Sequence, residues 1–403
     1  MTSNLLTPLT LPCGVVISNR ILKSAMSEGM GSKDYSANLK HQTLYRRFKE
    51  GGAGIVITGN VMIDEKGLGE PHNVVIEDER HLDALKAWAK AGQSKDTSLW
   101  VQLNHPGKQS PRFISKTPVA PSAIPLEGPI KAAFNKPRAL ELSEIKDLIH
   151  RFKTAAGVVK KAGFGGVQIH AAHGYLISQF LSPHHNQRTD AYGGSLENRM
   201  RFLVDIYVQI REEVGPTFPV AIKMNIDDFK EGGFTPQEAL SVIKILAEKG
   251  LDLIELSGGS YEKPVMMGSF EEGTFLKLVK KIRHEIKIPL CVTGGFRSLK
   301  VMEQTIKNND ADLIGLARPL VLNPDIPLHI KQGTFDSVDL PRLSTGFKRI
   351  DKVLGPVLGL SAYEFYLQSI AREKPIKPTR NAYKVLFLLM KSQGVQIFKR
   401  RRV

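Results

Sequence analysis

The stretch Gly166-Val-Gln-Ile-His-Ala-Ala-His-Gly-Tyr175 sets two imidazoles and a phenol within six residues, directly after a short apolar run. Val167 to Ile169 reads as a buried strand, so groups that can donate a hydrogen bond or a proton gather where a parallel strand meets its loop. In barrel and open α/β folds that edge carries the chemistry. A lone histidine is more often a solvated or core residue, but a second His and a Tyr at a glycine turn shift the balance to function. Two His three apart could also ligate zinc, yet no third ligand with matching spacing follows, and no metal is expected. These types suit a carbonyl oxygen that gains negative charge, with His170 and His173 as donors to it.

The elements that must position them form a repeat. Short apolar runs at Ile21–Ala25, Gly54–Gly59, Ser98–Leu103, Gly166–Ile169, Val220–Met224, Leu253–Leu256, Leu290–Thr293 and Leu313–Leu316 predict eight strands, apolar on both faces as covered parallel strands are. Helical patterns lie between them, around Leu39–Glu50, His81–Ala91, Ser143–Ala162, Leu196–Val214, Pro236–Lys249, Gly273–Ile286 and Leu299–Asn308. Thr235-Pro-Gln-Glu238 supplies an N-cap, a proline at the first helical position and a capping acid, and Ser143 marks the start of another helix. Eight strand–helix units predict a (β/α)8 TIM barrel. A doubly wound sheet is the alternative, and the missing Gly-x-Gly-x-x-Gly counts against it. An N-terminal hairpin within Leu9–Ile17 should plug one end, and the long loop Gln109–Lys136 should form a lid or wall.

Polar residues interrupt the apolar strands. Gln102 within Trp-Val-Gln-Leu needs a buried partner, and its amide can both donate and accept. Lys223 within Val-Ala-Ile-Lys-Met-Asn is a buried cation that calls for a negative charge. Gly294-Gly295-Phe296 and Ala317-Arg318 end the last two strands, where barrels often hold phosphate on backbone N–H groups and Arg318 would clamp it.

Together with Arg188-Thr-Asp-Ala-Tyr-Gly-Gly-Ser-Leu-Glu-Asn-Arg199, Val292-Thr-Gly-Gly-Phe296 and Gly315-Leu-Ala-Arg318, the His-x-x-His and Tyr resemble the old yellow enzyme family of flavin-dependent ene-reductases, from about residue 5 to 330. The resemblance implies FMN at the top of the barrel and NADH or NADPH as hydride donor. It implies that His170 and His173 grip a substrate carbonyl, that Tyr175 protonates the α-carbon and that flavin N5 gives hydride to the β-carbon. It places Ser24, Ala25, Met26 and Ser27 beside the flavin, with Ser27 where relatives carry Thr or Cys near O4. Gly59 would let the ring lie close, Gln102 would meet the pyrimidine, and Lys223 would sit where many relatives have Arg, near N1 and O2. Gly294, Gly295, Phe296, Ala317 and Arg318 would hold the phosphate. The implied reaction reduces the C=C bond of an enone or enal, with a flavin-dependent demethylase or related oxidoreductase as the alternative on the same scaffold.

Composition bounds the rest. Cys13 and Cys291 are the only cysteines of 403 residues, which excludes a disulfide framework and an iron–sulfur cluster held by four thiolates of this chain. That departs from larger relatives of the dienoyl-CoA-reductase type and predicts a stand-alone enzyme. With no signal-peptide pattern and no long apolar run, a cytoplasmic protein is expected. Residues 341–403 carry 14 Lys/Arg against 3 Asp/Glu, a surplus of 11 within the net +16. They read as a helical, basic appendage to a catalytic unit at 1–340. The apolar run Tyr383–Met390 ahead of Lys399-Arg-Arg-Arg402 suggests a helix packed on the barrel or on a second subunit of a homo-oligomer, or weak contact with an anionic membrane. Specific nucleic-acid binding is not expected, and a scaffold that binds nucleic acid or membrane is the non-enzymatic alternative.

Overall fold

Eight parallel strands close into one barrel in the computed structural model, which describes residues 3–128, 130–262, 272 and 275–393. They are β3 (Ile21–Lys23), β4 (Ile55–Met62), β5 (Ser98–Asn104), β8 (Gly166–Ala171), β9 (Val220–Asn225), β10 (Leu253–Ser257), β11 (Leu290–Thr293) and β12 (Leu313–Leu316), with β12 pairing back onto β3. All eight strands foreseen from sequence are present. Their residues are buried almost throughout, because helices cover the outside and side chains fill the inside.

Helices α1 (Leu39–Glu50), α2 (Leu82–Gly92), α3 (Leu142–Lys161), α5 (Leu196–Val214), α6 (Pro236–Glu248), α7 (Leu276–Ile282) and α8 (Leu299–Lys307) form the outer ring, with short α4 (Leu176–Leu181), α9 (Arg318–Leu322) and α10 (Ile326–Gln332). Helix α6 begins as foreseen: Thr235 accepts from the Glu238 N–H, Glu238 returns the contact, and Pro236 opens the first turn. Helix α3 starts earlier than expected. Glu141 and Glu144 form the capping pair, so Ser143 lies inside the first turn rather than before it.

Strands β1 (Leu9–Thr10) and β2 (Val16–Ile17) make the antiparallel hairpin. Leu11 and Ile17 pack against Leu22, Ile55, Trp100, Ala221, Leu253, Cys291 and Leu313 from successive barrel strands, which closes the barrel floor. At the other end, the loop after β5 carries two-residue strands β6 (Val119–Ala120) and β7 (Arg138–Ala139), which pair with each other.

The extension folds as α11 (Lys348–Ile370) and α12 (Ala382–Gln393). It is no appendage. Helix α11 packs beside α1 and α9, and its Gly359, Leu360, Ser361, Tyr363 and Glu364 line the cavity at the barrel mouth. Helix α12 buries Ala382, Val385 and Leu389 and exposes Tyr383, Phe387 and Met390. The basic run Lys399–Arg402 lies outside the described residues. None of the described helices is long and apolar enough to cross a membrane.

Candidate active site

The C-terminal ends of the strands surround a cavity of about 440 Å³. Strand β8 delivers His170 next to its last residue, and the chain then reverses sharply. His173 adopts φ 61° and Gly174 φ 76°, a left-handed pair that only the glycine meets without strain. A Cβ on Gly174 would also stand 2.7 Å from Gln109 Oε1. The turn is held from outside. Gln109 Nε2 donates to the His173 carbonyl at 3.1 Å, Gln179 Nε2 to the Gly174 carbonyl at 2.7 Å, and the His173 N–H to Asn225 Oδ1 at 3.1 Å.

The result is a convergent set. The His170 and His173 rings meet edge to face at 5.2 Å, and His170 meets Tyr175 at 4.8 Å. His170 Nδ1 accepts the Ala172 N–H at 3.3 Å, so the proton sits on Nε2, which is the nitrogen left to donate. His173 Nε2 lies 3.0 Å from Ser257 Oγ. Burial, then His173 and Lys223, hold the His170 pKa far below its ordinary value, and burial and Lys223 push His173 down to about 3. Both imidazoles are therefore neutral near pH 7 and available as N–H donors rather than cations. Tyr175 Oη is 3.0 Å from Tyr261 Oη. Burial, then Tyr261 and the charges of Glu70 and Glu364, raise its pKa well above the usual phenol range, so Tyr175 keeps its proton until a strong base forms beside it.

Deeper in the mouth a buried polar chain crosses the barrel. Gln102 Nε2 donates to Gln168 Oε1 at 2.7 Å, and Gln168 Nε2 to Glu255 Oε2 at 2.7 Å. Lys223 Nζ meets Glu255 Oε1 at 2.9 Å, and Thr293 Oγ1 donates to the same oxygen at 2.6 Å. Burial raises the Glu255 pKa, but Lys223 and the donors outweigh it and hold the carboxyl below its ordinary range. Lys223 thus has a counter-charge inside the protein, paired with it in register across β9 and β10.

Other expected residues are placed as follows. Ala25, Met26, Ser27, Gln102, Lys223, Gly294, Gly295, Phe296, Ala317 and Arg318 all line the cavity. Ser24 stands behind that wall, its hydroxyl 2.8 Å from Thr293 Oγ1. Ser27 is hydrogen-bonded to the Glu70 carboxyl, whose pKa burial raises. Gly59 faces away: its N–H donates to Glu28 Oε1 at 2.9 Å, and a Cβ there would meet the Met26 carbonyl at 2.8 Å. An irregularity between Ile57 and Asn60 turns Asn60 to the cavity instead. The closeness that requires a glycine at 59 is therefore to the β3 loop.

Sequence reasoning missed Glu255, Thr293, Asn60, Tyr261, Glu70, Tyr363 and Glu364. Glu255 had a signal, an acid in the buried run Leu-Ile-Glu-Leu beside a strand with a buried lysine. The foreseen loop wall is present through Pro111, Ile130, Ala133 and Phe134. A separate group, His184, His185 and Glu262, has donor atoms within 4.8 Å. Lys108 and Lys230 already occupy it, at 3.0 Å from His185 Nδ1 and 2.7 Å from His184 Nε2, so it reads as an ionic latch between loops.

The sequence pattern of the NADH:flavin oxidoreductase / NADH oxidase family matches residues 4–337. The chain belongs to this family. An NADH-dependent flavin oxidoreductase of Hypocrea jecorina is 37% identical over 353 residues, covering 79% of this chain and 87% of the relative. The old yellow enzyme homologue from Zymomonas mobilis superposes with a TM-score of 0.73 at 26% identity, covering 84% of this chain and 95% of that one. Morphinone reductase in complex with tetrahydroNAD gives 0.70 at 26% identity, covering 83% and 93%. With the family come a flavin, FMN, and a nicotinamide as its reductant. The cavity fits FMN on its own chemistry. It offers an amide at Gln102, a cation at Lys223 for the electron-rich end of a reduced ring, and a guanidinium at Arg318 with two glycines for a phosphate.

Proposed function

We propose that this flavin oxidoreductase reduces the C=C bond of α,β-unsaturated carbonyl compounds with electrons from NADH or NADPH. One observation carries the reading: two neutral imidazoles and a protonated phenol face one side of the flavin cavity. Donors fixed before reaction are worth most where charge develops, and the carbonyl oxygen of an enone gains charge as hydride reaches its β-carbon. His170 Nε2–H and the His173 imidazole hold that oxygen. Tyr175 gives its proton to the α-carbon, and Tyr261 holds the Tyr175 hydroxyl in place. The bound flavin supplies hydride, which it takes from the nicotinamide. Lys223, balanced by Glu255, would hold the electron-rich end of the flavin ring. The nicotinamide and the enone would use the same cavity in turn, a ping-pong course.

Anaerobic titration of the yellow protein with NADH or NADPH should bleach it. Addition of cyclohexenone should restore the colour and yield cyclohexanone. Bleaching by a nicotinamide without reoxidation by any enone or enal would leave a flavin oxidoreductase and remove the ene-reductase reading.

A further inference from the structure

Tyr363 sits on α11, beyond the stretch that the family pattern matches. Its side chain is only 6% exposed, lines the cavity beside Arg318, Gly294 and Gly295, and leaves its Oη with no hydrogen-bond partner. Buried hydroxyls are almost always paired, so this one marks a ligand atom. The ring is held in position edge-on to Tyr366, at 5.5 Å and 77°. The field of Arg318 reaches the phenol, while burial pushes it up to about 12, so it stays a neutral donor at any working pH. Arg318 makes no ion pair or hydrogen bond among the described residues, and burial and the like charge of Arg297 both depress its pKa. A half-buried cation without an ion pair and an unpaired O–H donor beside it together ask for an anion.

The place in the barrel says which anion. Strands β12 and β8 are four steps apart either way round the eight-stranded ring. Arg318, at the end of β12, therefore stands across the mouth from His170 at the end of β8, with Tyr363 lining the same cavity. A phosphomonoester at the far end of the cofactor meets the requirement.

We propose that Tyr363 donates its phenolic hydrogen to the phosphate of FMN beside Arg318, which makes the C-terminal extension part of the cofactor site. The proposal rests on the flavin reading and adds a residue outside the matched family region. The test titrates the full-length chain, after flavin removal, with FMN, riboflavin and inorganic phosphate. Affinity is read from quenching of flavin fluorescence and, for phosphate, from the shift in melting temperature. Tyr363→Phe should weaken FMN roughly tenfold or more, the scale of a hydrogen bond to a charged group. It should leave riboflavin affinity unchanged and shrink the phosphate-induced shift. Its melting temperature without ligand should not fall, since the deleted oxygen has no partner there. Equal weakening of FMN and riboflavin would mean that Tyr363 only packs, and unchanged FMN affinity would overturn the contact outright. Failure of the unaltered chain to bind either flavin would overturn the flavin reading and this proposal with it.

Discussion

The Lys223–Glu255 pair gives the most quantitative prediction. Both side chains are almost wholly buried, Glu255 at 0% exposure, and they meet at 2.9 Å. At that distance the gross attraction is about 6 kcal/mol for an effective dielectric of 20. Lys223→Met keeps the length of the stem but removes the cation in direct contact with the carboxylate. Breaking a buried pair from one side costs about 3–5 kcal/mol. An unfolding entropy of about 2.1 cal/mol/K per residue gives roughly 0.85 kcal/mol/K for a chain of this length. The melting temperature should therefore fall by roughly 4–6 °C, measured by calorimetry in saturating FMN so that occupancy is constant. Lys223→Met/Glu255→Gln removes both charges and should regain most of that loss, because Gln168 and Thr293 can still bond the amide. A single variant within about 1 °C of the parent, or a double variant that melts below the single one, would refute the idea that the two residues act as a neutralised unit.

His170→Ala and His173→Ala should each lower kcat/KM for cyclohexenone roughly 30- to 1,000-fold, the effect of about 2–4 kcal/mol for one lost donor to an oxyanion, and weaken phenol binding; unchanged phenol affinity in both would remove the oxyanion role. Gly174→Ala puts a side chain at φ 76° against Gln109 and should lower activity while the flavin spectrum persists, whereas parental kinetics would show that the turn tolerates a Cβ. The Glu364 carboxyl, hydrogen-bonded to Glu70, has its pKa raised well above the ordinary range by burial and then by Glu70. The folded chain therefore binds more protons than the unfolded one, and stability falls as pH rises from the unfolded pKa toward the folded one. Glu364→Gln should gain melting temperature over the parent more at about pH 8 than at about pH 5.5, and parallel pH profiles would show that the carboxyl pair does not govern the seat of α11.

The barrel was legible because its rule is local. Each strand is a short apolar run bounded by turn residues, and each helix between them shows its own period and often its own cap, as at Thr235-Pro236. The His170–Tyr175 set was legible for a related reason, since three functional groups lie on one turn. What stayed hidden joins distant parts of the chain. Glu255 becomes the partner of Lys223 only once β9 and β10 are in register. Tyr261 meets Tyr175 across 86 positions, a pairing with no sequence signal. Helix α11 carries Tyr363 and Glu364 on a face that, by composition, reads as ordinary helix. Its reach over the barrel mouth depends on the packing of the whole extension. Gly59 shows the converse: a glycine at a strand end announces close approach, but sequence does not say which neighbour comes close.

The central claim is that Tyr175 protonates the alkene carbon while the flavin side of the reaction is independent of it. Stopped-flow separation of the two half-reactions in Tyr175→Phe tests this directly. Bleaching of the flavin by NADH or NADPH should proceed at the parental rate, and the flavin spectrum should be intact. Reoxidation by cyclohexenone should slow by roughly 100-fold or more, the usual contribution of a positioned general acid. An unchanged rate of reoxidation would contradict the assignment of Tyr175 and leave the two imidazoles as the only groups acting on the substrate.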